Sequence, residues 1–542
     1  MAGTLATARV VLRVVKHWLW WQFLIGLKVN IKQIKQSFEV KTMTDNDNNL
    51  HFGQGQGEDR KPTQILGHFA NRHGLITGAT GTGKTVTLQV LAENFSALGV
   101  PVFITDIKGD VSGLSQAGKQ KEFLDNRAKE LNIKNYRYEG SPTIFWDIFK
   151  QHGHPVRTTI QEIGPMYLSR LLELSDVQEG VIAVAFKYAE VNNMALMDLK
   201  DLKSLLQFLG DNHKTISSEF GRITSASVGA IQRRLLSLES QSGDKLFGEP
   251  ALELADLMRQ DMSGNGIISI MESRDLMMKP QLYASFLLWL MTELFETLPE
   301  VGDQPLPKLI LFFDEAHLIF EDSPKEVLKR IEQVARLIRS KGVGIYFCTQ
   351  SPGDIPEDIL GQLGNKIQHA LRAYTPKDKK VIGAVADSFR SNPDFNTADV
   401  ITQLGVGEAL VSTLEEKGAP AIVERVKIAP PRCRMGPATD DERKLVMQRS
   451  PVGGKYDQDL DRESAYEKLN KRKAELAEQK AREQARLEAE AEKAAAEKAA
   501  NPRRRPGRPA DSFATKLGKS LQQRLTTKAV NAIWKTLFGR RR

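Results

Sequence analysis

Gly78-Ala79-Thr80-Gly81-Thr82-Gly83-Lys84-Thr85 is the stretch that decides the fold. It has the glycine-rich spacing of a complete phosphate-binding loop. Before it, Gly74-Leu75-Ile76-Thr77 is a short apolar run that can end a buried strand. After it, Val86, Val90, Leu91 and Phe95 recur at helical spacing. A turn of this kind aims successive backbone N–H groups at phosphates, at the positive end of a helix. Lys84 then supplies a point charge to the β- and γ-phosphates, and the Thr85 hydroxyl can ligate Mg²⁺. The expected ligands are therefore ATP and Mg²⁺, with Gly78, Ala79, Thr80, Gly81, Thr82, Gly83, Lys84 and Thr85 as the cradle.

Working outward, Lys308-Leu309-Ile310-Leu311-Phe312-Phe313 runs into Asp314-Glu315-Ala316-His317, a buried strand that ends in acids. Asp314 stands at the Walker B position, where it would hold the shell of the Mg²⁺. Glu315 beside it is suited to polarising an attacking water. His317 reads equally well as packing at a helix start. A further strand, Gly344 to Thr349, ends at Gln350, which a parallel sheet would bring near the γ-phosphate. Lys366 to Leu371 reads as another strand, ending in Arg372. Arg372, or one of Arg330, Arg336 and Arg339 on the intervening helix, could complete a neighbour's active site. Asp106 and Asp110, at the end of the strand Val102–Asp106, read equally as site residues or as turn residues.

Strands and helices alternating around a phosphate loop predict an α/β fold with a doubly wound, largely parallel sheet. The expected organisation is a basic extension over 1–49, then the first part of the nucleotide-binding core over 50–119. A mainly helical insertion follows over 120–262, with amphipathic stretches near 160–174, 177–191, 199–209 and 228–238. The second part of the core, 263–430, closes with a hairpin, and Pro430-Pro431 opens a linker over 431–458. Residues 459–500 are rich in Ala, Glu, Lys and Arg and predict a solvated helix carrying i,i+4 charge pairs. The basic tail, 501–542, contains Arg505-Pro506-Gly507-Arg508-Pro509, which resembles an AT-hook, and an amphipathic stretch from Phe513 to Phe538.

The chain has 542 residues and carries 76 Lys and Arg against 67 Asp and Glu, a net charge of +9. Much of the excess lies at the two ends, which argues for acidic partners at the tails. The two cysteines, Cys348 and Cys433, allow no disulfide framework and fit a reducing cytoplasm. Near the amino terminus, Trp18 to Leu27 is apolar for about ten residues, short of the roughly 20 that a bilayer crossing needs. It could be a peripheral membrane anchor, but Met43, opening a polar stretch just before the core, reads as the more natural first residue.

Together, the loop Gly78–Thr85, Thr105-Asp106-Ile107-Lys108-Gly109-Asp110, the stretch Leu168 to Gly180, Asp314-Glu315-Ala316-His317 and Thr349-Gln350 resemble the HerA-like branch of the HerA/FtsK superfamily. Within it they are most similar to bacterial YjgR-type, HerA C-terminal-like proteins. The resemblance spans most of residues 50–470. It implies a RecA-like core and a hexameric ring that pulls DNA without sequence preference. An independent argument also favours assembly: a motor with one nucleotide-binding core per chain needs its partner lobe from another subunit, and a closed ring supplies it. Other readings of the same residues are a membrane-associated assembly or secretion ATPase and a nucleotide-gated scaffold.

Overall fold

In the computed structural model, residues 48–57, 60–302, 304–321 and 325–500 are described. The expectations for the amino-terminal extension and its start site, the AT-hook-like segment and the last amphipathic stretch lie outside those residues.

A sheet of twelve strands organises the chain from Asn49 onward. In chain order the strands are β1 (Leu50–Gly55), β2 (Pro62–Ile65), β3 (Gly74–Thr77), β4 (Val102–Asp106), β5 (Thr143–Asp147) and β6 (His154–Pro155). They continue with β7 (Ile268–Glu272), β8 (Leu309–Phe313), β9 (Val343–Thr349), β10 (Asn365–Gln368), β11 (Glu408–Ser412) and β12 (Glu424–Ile428). Their spatial order is β2-β1-β12-β11-β10-β3-β9-β8-β4-β7-β5-β6. From β10 through β6 every pairing is parallel, and from β10 back to β2 every pairing is antiparallel. The phosphate-loop strand β3 lies between β9 and β10, in register Thr77 to Thr349 and Thr77 to Gln368.

Alternation along the central strands sends side chains to two separate cores. Leu309, Leu311 and Phe313 of β8 join Val343, Ile345 and Phe347 of β9 on one face, under the Pro280–Thr297 and Lys325–Leu337 helices. Ile310, Phe312, Tyr346 and Cys348 point the other way, onto Leu88, Leu91 and Phe95 of the Lys84–Ala97 helix. Strands buried on both faces read as continuous apolar runs, and a layer of helices must cover each side.

The amphipathic stretches fold as the helices Ile160–Leu171, Asp176–Val191, Leu199–Asp211 and Ser225–Ser240, with a kink at Gly164-Pro165 in the first. Two features differ from expectation. Thr143–Asp147, inside the stretch read as mainly helical, is a fully buried strand of the main sheet, paired with β7. It is too short for periodicity to announce it; long-range pairing makes it a strand.

The segment after Pro430-Pro431 is also no free linker. Glu93 accepts hydrogen bonds from the backbone N–H groups of Arg432 (3.0 Å) and Cys433 (2.8 Å), and buried Arg443 pairs with Glu272 at 3.1 Å. Farther along, Lys455 meets Asp256 at 2.7 Å and Asp457 meets His154 at 2.8 Å. Polar anchors therefore lash this segment to the sheet and the helical layer, where hydropathy alone gives no sign of packing.

The Ala465–Ala500 helix starts on the helical layer through buried Ala465 and Leu469, then runs solvated with pairs such as Arg486–Glu490. Among the described residues, no helix is long and apolar enough to cross a membrane.

Candidate nucleotide site

The loop Gly78–Gly83 joins β3 to the Lys84–Ala97 helix, and Gly78, Gly81 and Gly83 adopt φ of 147°, 78° and 115°. These values favour glycine. At Gly78 a Cβ would also come within 2.5 Å of the Cβ of His369, so both conformation and space require glycine there. Lys84 is buried, and its Nζ donates to the carbonyls of Gly78 (2.7 Å) and Ala79 (3.2 Å), which holds the ammonium across the mouth of the loop.

The base of the loop is tied to the neighbouring strand. His369, following β10, is fully buried: its Nδ1 is 2.9 Å from the Glu408 carbonyl and its Nε2 is 2.9 Å from the Thr87 hydroxyl. A carbonyl can only accept, so Nδ1 carries the proton and Nε2 accepts from Thr87. Burial lowers the pKa of this imidazole to about 4, which keeps it neutral. Ala79 N–H donates to the Ala370 carbonyl at 2.8 Å, and Gly407 N–H donates to the Thr82 carbonyl at 3.1 Å. The phosphate loop and the first turn of its helix are thus clamped by residues some 280–330 positions away in sequence; that clamp is invisible in the motif itself.

The carboxyl ends of the parallel neighbours β4 and β8 lie side by side. Asp314 is 2 % exposed and its Oδ2 has no hydrogen-bond partner. Burial, then Glu315 and Asp110, raise its pKa to about 6. Asp106 is fully buried, accepts from the Gly109 (2.8 Å) and Val111 (3.2 Å) N–H groups, and is pushed up to about 8 by burial and by Asp110, Glu272 and Asp314. Asp110 is shifted upward mainly by burial. It lies beside the Thr85 hydroxyl, and its Oδ1 is buried without a partner. Glu315 is 4 % exposed and adopts φ +46°, uncommon for a residue with a side chain. Its Oε1 is ion-paired with Lys108, and its Oε2 lies 3.3 Å from Nδ1 of His317.

The residue set fits a nucleotide with Mg²⁺. Among the described residues, no group of three or more His, Cys, Asp or Glu could hold a metal by itself. Mg²⁺ does not need one, since it is usually held by one or two carboxylates, waters and substrate phosphates. The orphaned oxygen of Asp314 and the Thr85 hydroxyl, with Asp110 beside that hydroxyl, are groups of that kind.

A cavity of about 630 Å³ opens beside the loop, lined at one end by Ala79, Thr80, Gly81, Thr82, Gln350 and Arg372. Gln350 is exposed and shares this space with the loop. Arg372 is exposed as well, donates to the Thr402 carbonyl at 3.0 Å, and lines the cavity of its own chain. Arg330, by contrast, is 8 % exposed, bonded to Tyr167 and set over the rings of Tyr167 (5.0 Å) and Phe295 (5.5 Å). It is internal packing, so it cannot reach a neighbour's site; helical periodicity could not reveal this, because an aliphatic stem and a cation over aromatics bury well. Sequence reasoning singles out neither Lys108 nor His369 as a site residue, and it leaves Asp110 open between site and turn. A strand-end acid two residues beyond a lysine was the one available signal.

The model of the family described as helicase HerA-like C-terminal matches residues 52–542. The chain belongs to that family. The HerA-like match agrees with the resemblance carried by the motifs, and the fold and motif set are those of a P-loop ATPase of the HerA/FtsK type. Among curated relatives, the DNA double-strand break repair helicase HerA of Saccharolobus solfataricus is 24% identical over 69% of this chain and 68% of its own length. The protein of the same name from Sulfolobus acidocaldarius is 23% identical over 63% of this chain. The chain spans 62% of that relative's length. Solved structures similar to this HerA-like chain include the plasmid coupling protein TrwB with a non-hydrolysable ATP analogue. It is 16% identical, covers 71% of this chain and 94% of that chain, and has a TM-score of 0.44. Another is VirB4 of Thermoanaerobacter pseudethanolicus, 14% identical over 70% and 95%, with a TM-score of 0.43.

Proposed function

We propose that this chain is an ATP-hydrolysing motor that moves along DNA, working as a homohexameric ring of identical subunits.

 The observation that carries this reading is that Asp110 lies beside the Thr85 hydroxyl and within electrostatic reach of Asp314 and Glu315, with a partnerless carboxylate oxygen on each of the three acids.

In this reading the loop backbone and Lys84 hold the β- and γ-phosphates, as the positive φ of the glycines and the buried ammonium favour. Thr85 and Asp314 hold the Mg²⁺, with Asp110 orienting the Thr85 hydroxyl from behind. When bound, Mg²⁺ neutralises charge on the phosphate oxygens. Glu315 acts as the general base that orients and deprotonates the attacking water, after its carboxylate leaves Lys108. Gln350 senses the nucleotide by hydrogen bonding at the end of β9, and Arg372 supplies positive charge from the cavity wall.

DNA is the proposed track because the similar curated proteins are named as DNA double-strand break repair helicases. The excess of 76 basic over 67 acidic residues suits phosphate contacts that are indifferent to sequence. The test is steady-state ATP hydrolysis by the full chain without nucleic acid, with single-stranded DNA and with double-stranded DNA. Turnover rises with at least one form of DNA. Turnover that no DNA changes would overturn the motor reading while leaving the nucleotide site intact.

A further inference from the structure

The cavity beside the phosphate loop has a second half that none of these roles uses. Besides Ala79–Thr82, Gln350 and Arg372, its lining includes Leu371, Tyr374, Ile382, Leu404 and Val406. Leu371, Ile382 and Leu404 are buried and belong to one small apolar cluster, so they form a built floor. Tyr374 and Val406 stand over it at 87% and 73% exposure. Large apolar side chains exposed together at the rim of a cavity mark a surface that a ligand can cover, and a phenol ring suits a flat one.

The acid of this half is already engaged: the Oδ2 of Asp378 accepts from the backbone N–H groups of Tyr374 (2.9 Å) and Thr375 (2.8 Å), capping the helix that follows. None of the buried, partnerless polar side chains among the described residues lines this cavity. Around Tyr374 the side chains lining the cavity therefore offer apolar area and one aromatic face, with no buried, unpartnered donor or acceptor set to read a base edge.

We infer that this half is the nucleoside subsite, and that it takes the base by stacking on Tyr374 over the Leu371–Leu404 floor without reading its hydrogen-bonding edge. The inference rests on the nucleotide-site reading and deepens it: the site accepts nucleoside triphosphates as a class. Stacking is tolerant of base identity because every base has a π-face. A site that hydrogen-bonds its ligand can reject an analogue by about 10⁴-fold, whereas an apolar one discriminates only about 10- to 200-fold.

The test is calorimetric titration of the full chain with ATP, GTP and inorganic tripolyphosphate, each with Mg²⁺, on wild type, Tyr374→Ala, Tyr374→Phe and Lys84→Ala. ATP and GTP bind wild type within about tenfold of each other. Tyr374→Ala weakens both by about tenfold and leaves tripolyphosphate unchanged, while Tyr374→Phe restores them. Unchanged ATP affinity in Tyr374→Ala, an equal loss for tripolyphosphate, or a preference for ATP over GTP beyond about 10³-fold overturns the inference. Tripolyphosphate binding that is indifferent to Lys84→Ala overturns the nucleotide-site reading, and this inference with it.

Discussion

The helical layer over 160–240 and the carboxyl ends of β3, β4 and β8 treat polar groups in opposite ways. In the helical layer, polar groups at helix starts are settled within a few residues. Thr159 caps its helix through a reciprocal box with Glu162, and Asp198 does the same with Asp201. At the strand ends, Asp106, Asp314, Glu315 and Lys84 are all buried together, and Asp314 Oδ2, Glu315 Oε2 and Asp110 Oδ1 have no hydrogen-bond partner. Burying a charge without full compensation is costly, so a fold keeps such a cluster only where something beyond stability selects it. The comparison teaches which residues serve folding and which serve chemistry.

Substitutions that split the two regions sharpen the contrast. Lys84→Ala lowers nucleotide affinity by about a hundredfold or more, the scale expected when a buried, hydrogen-bonded charge is removed. Thr159→Ala, in the helical layer, costs about 1 kcal/mol of stability and leaves that affinity unchanged. Fluorescent-nucleotide titration beside thermal melting separates them; equal effects on affinity would erase the distinction between the regions.

Asp110→Asn comes next in size. It raises the Mg²⁺ concentration needed for half-maximal nucleotide hydrolysis by about 10- to 100-fold, the usual effect of losing a group that orients a metal ligand. An unaltered Mg²⁺ dependence would return Asp110 to the status of a turn residue.

The smallest effect is on stability against pH. Asp106 titrates near 8 in the folded chain, against 3.8 for the free side chain, and Asp314 near 6. These two acids make the native state hold more protons than the unfolded one, while buried His73 and His369, lowered to about 4, act the opposite way below about pH 6.5, so stability falls as pH rises from about 6.5 to 8. The nucleotide-free protein melts at a lower temperature at pH 8 than at pH 7, and Asp106→Asn flattens that slope. A slope unchanged in Asp106→Asn would locate the titration elsewhere.

Much of this site is legible in the sequence because its parts are local. The glycines and Lys84 follow one another along the chain, and Asp314-Glu315 ends an unbroken apolar strand. The α/β class follows from the same alternation. What is not legible depends on residues meeting across long separations. His369 reaches Thr87, Asp110 reaches Thr85, and Lys108 reaches Glu315 only because β3, β4, β8 and β10 are drawn into one sheet. Thr143–Asp147 becomes a strand through pairing with β7, and the segment after Pro431 packs through Glu93 and Glu272. Arg330 looks like a surface charge in a helical repeat and is held inside by two rings.

The central claim is that the strand-end acids opposite the phosphate loop carry out hydrolysis while the loop carries binding. Its most direct test measures bound ATP and phosphate release in the same samples of wild type and Glu315→Gln. The account predicts near-normal ATP binding with release slowed by about 10²- to 10⁴-fold, the range that a general base contributes. Wild-type turnover in Glu315→Gln, or loss of binding together with turnover, would contradict it.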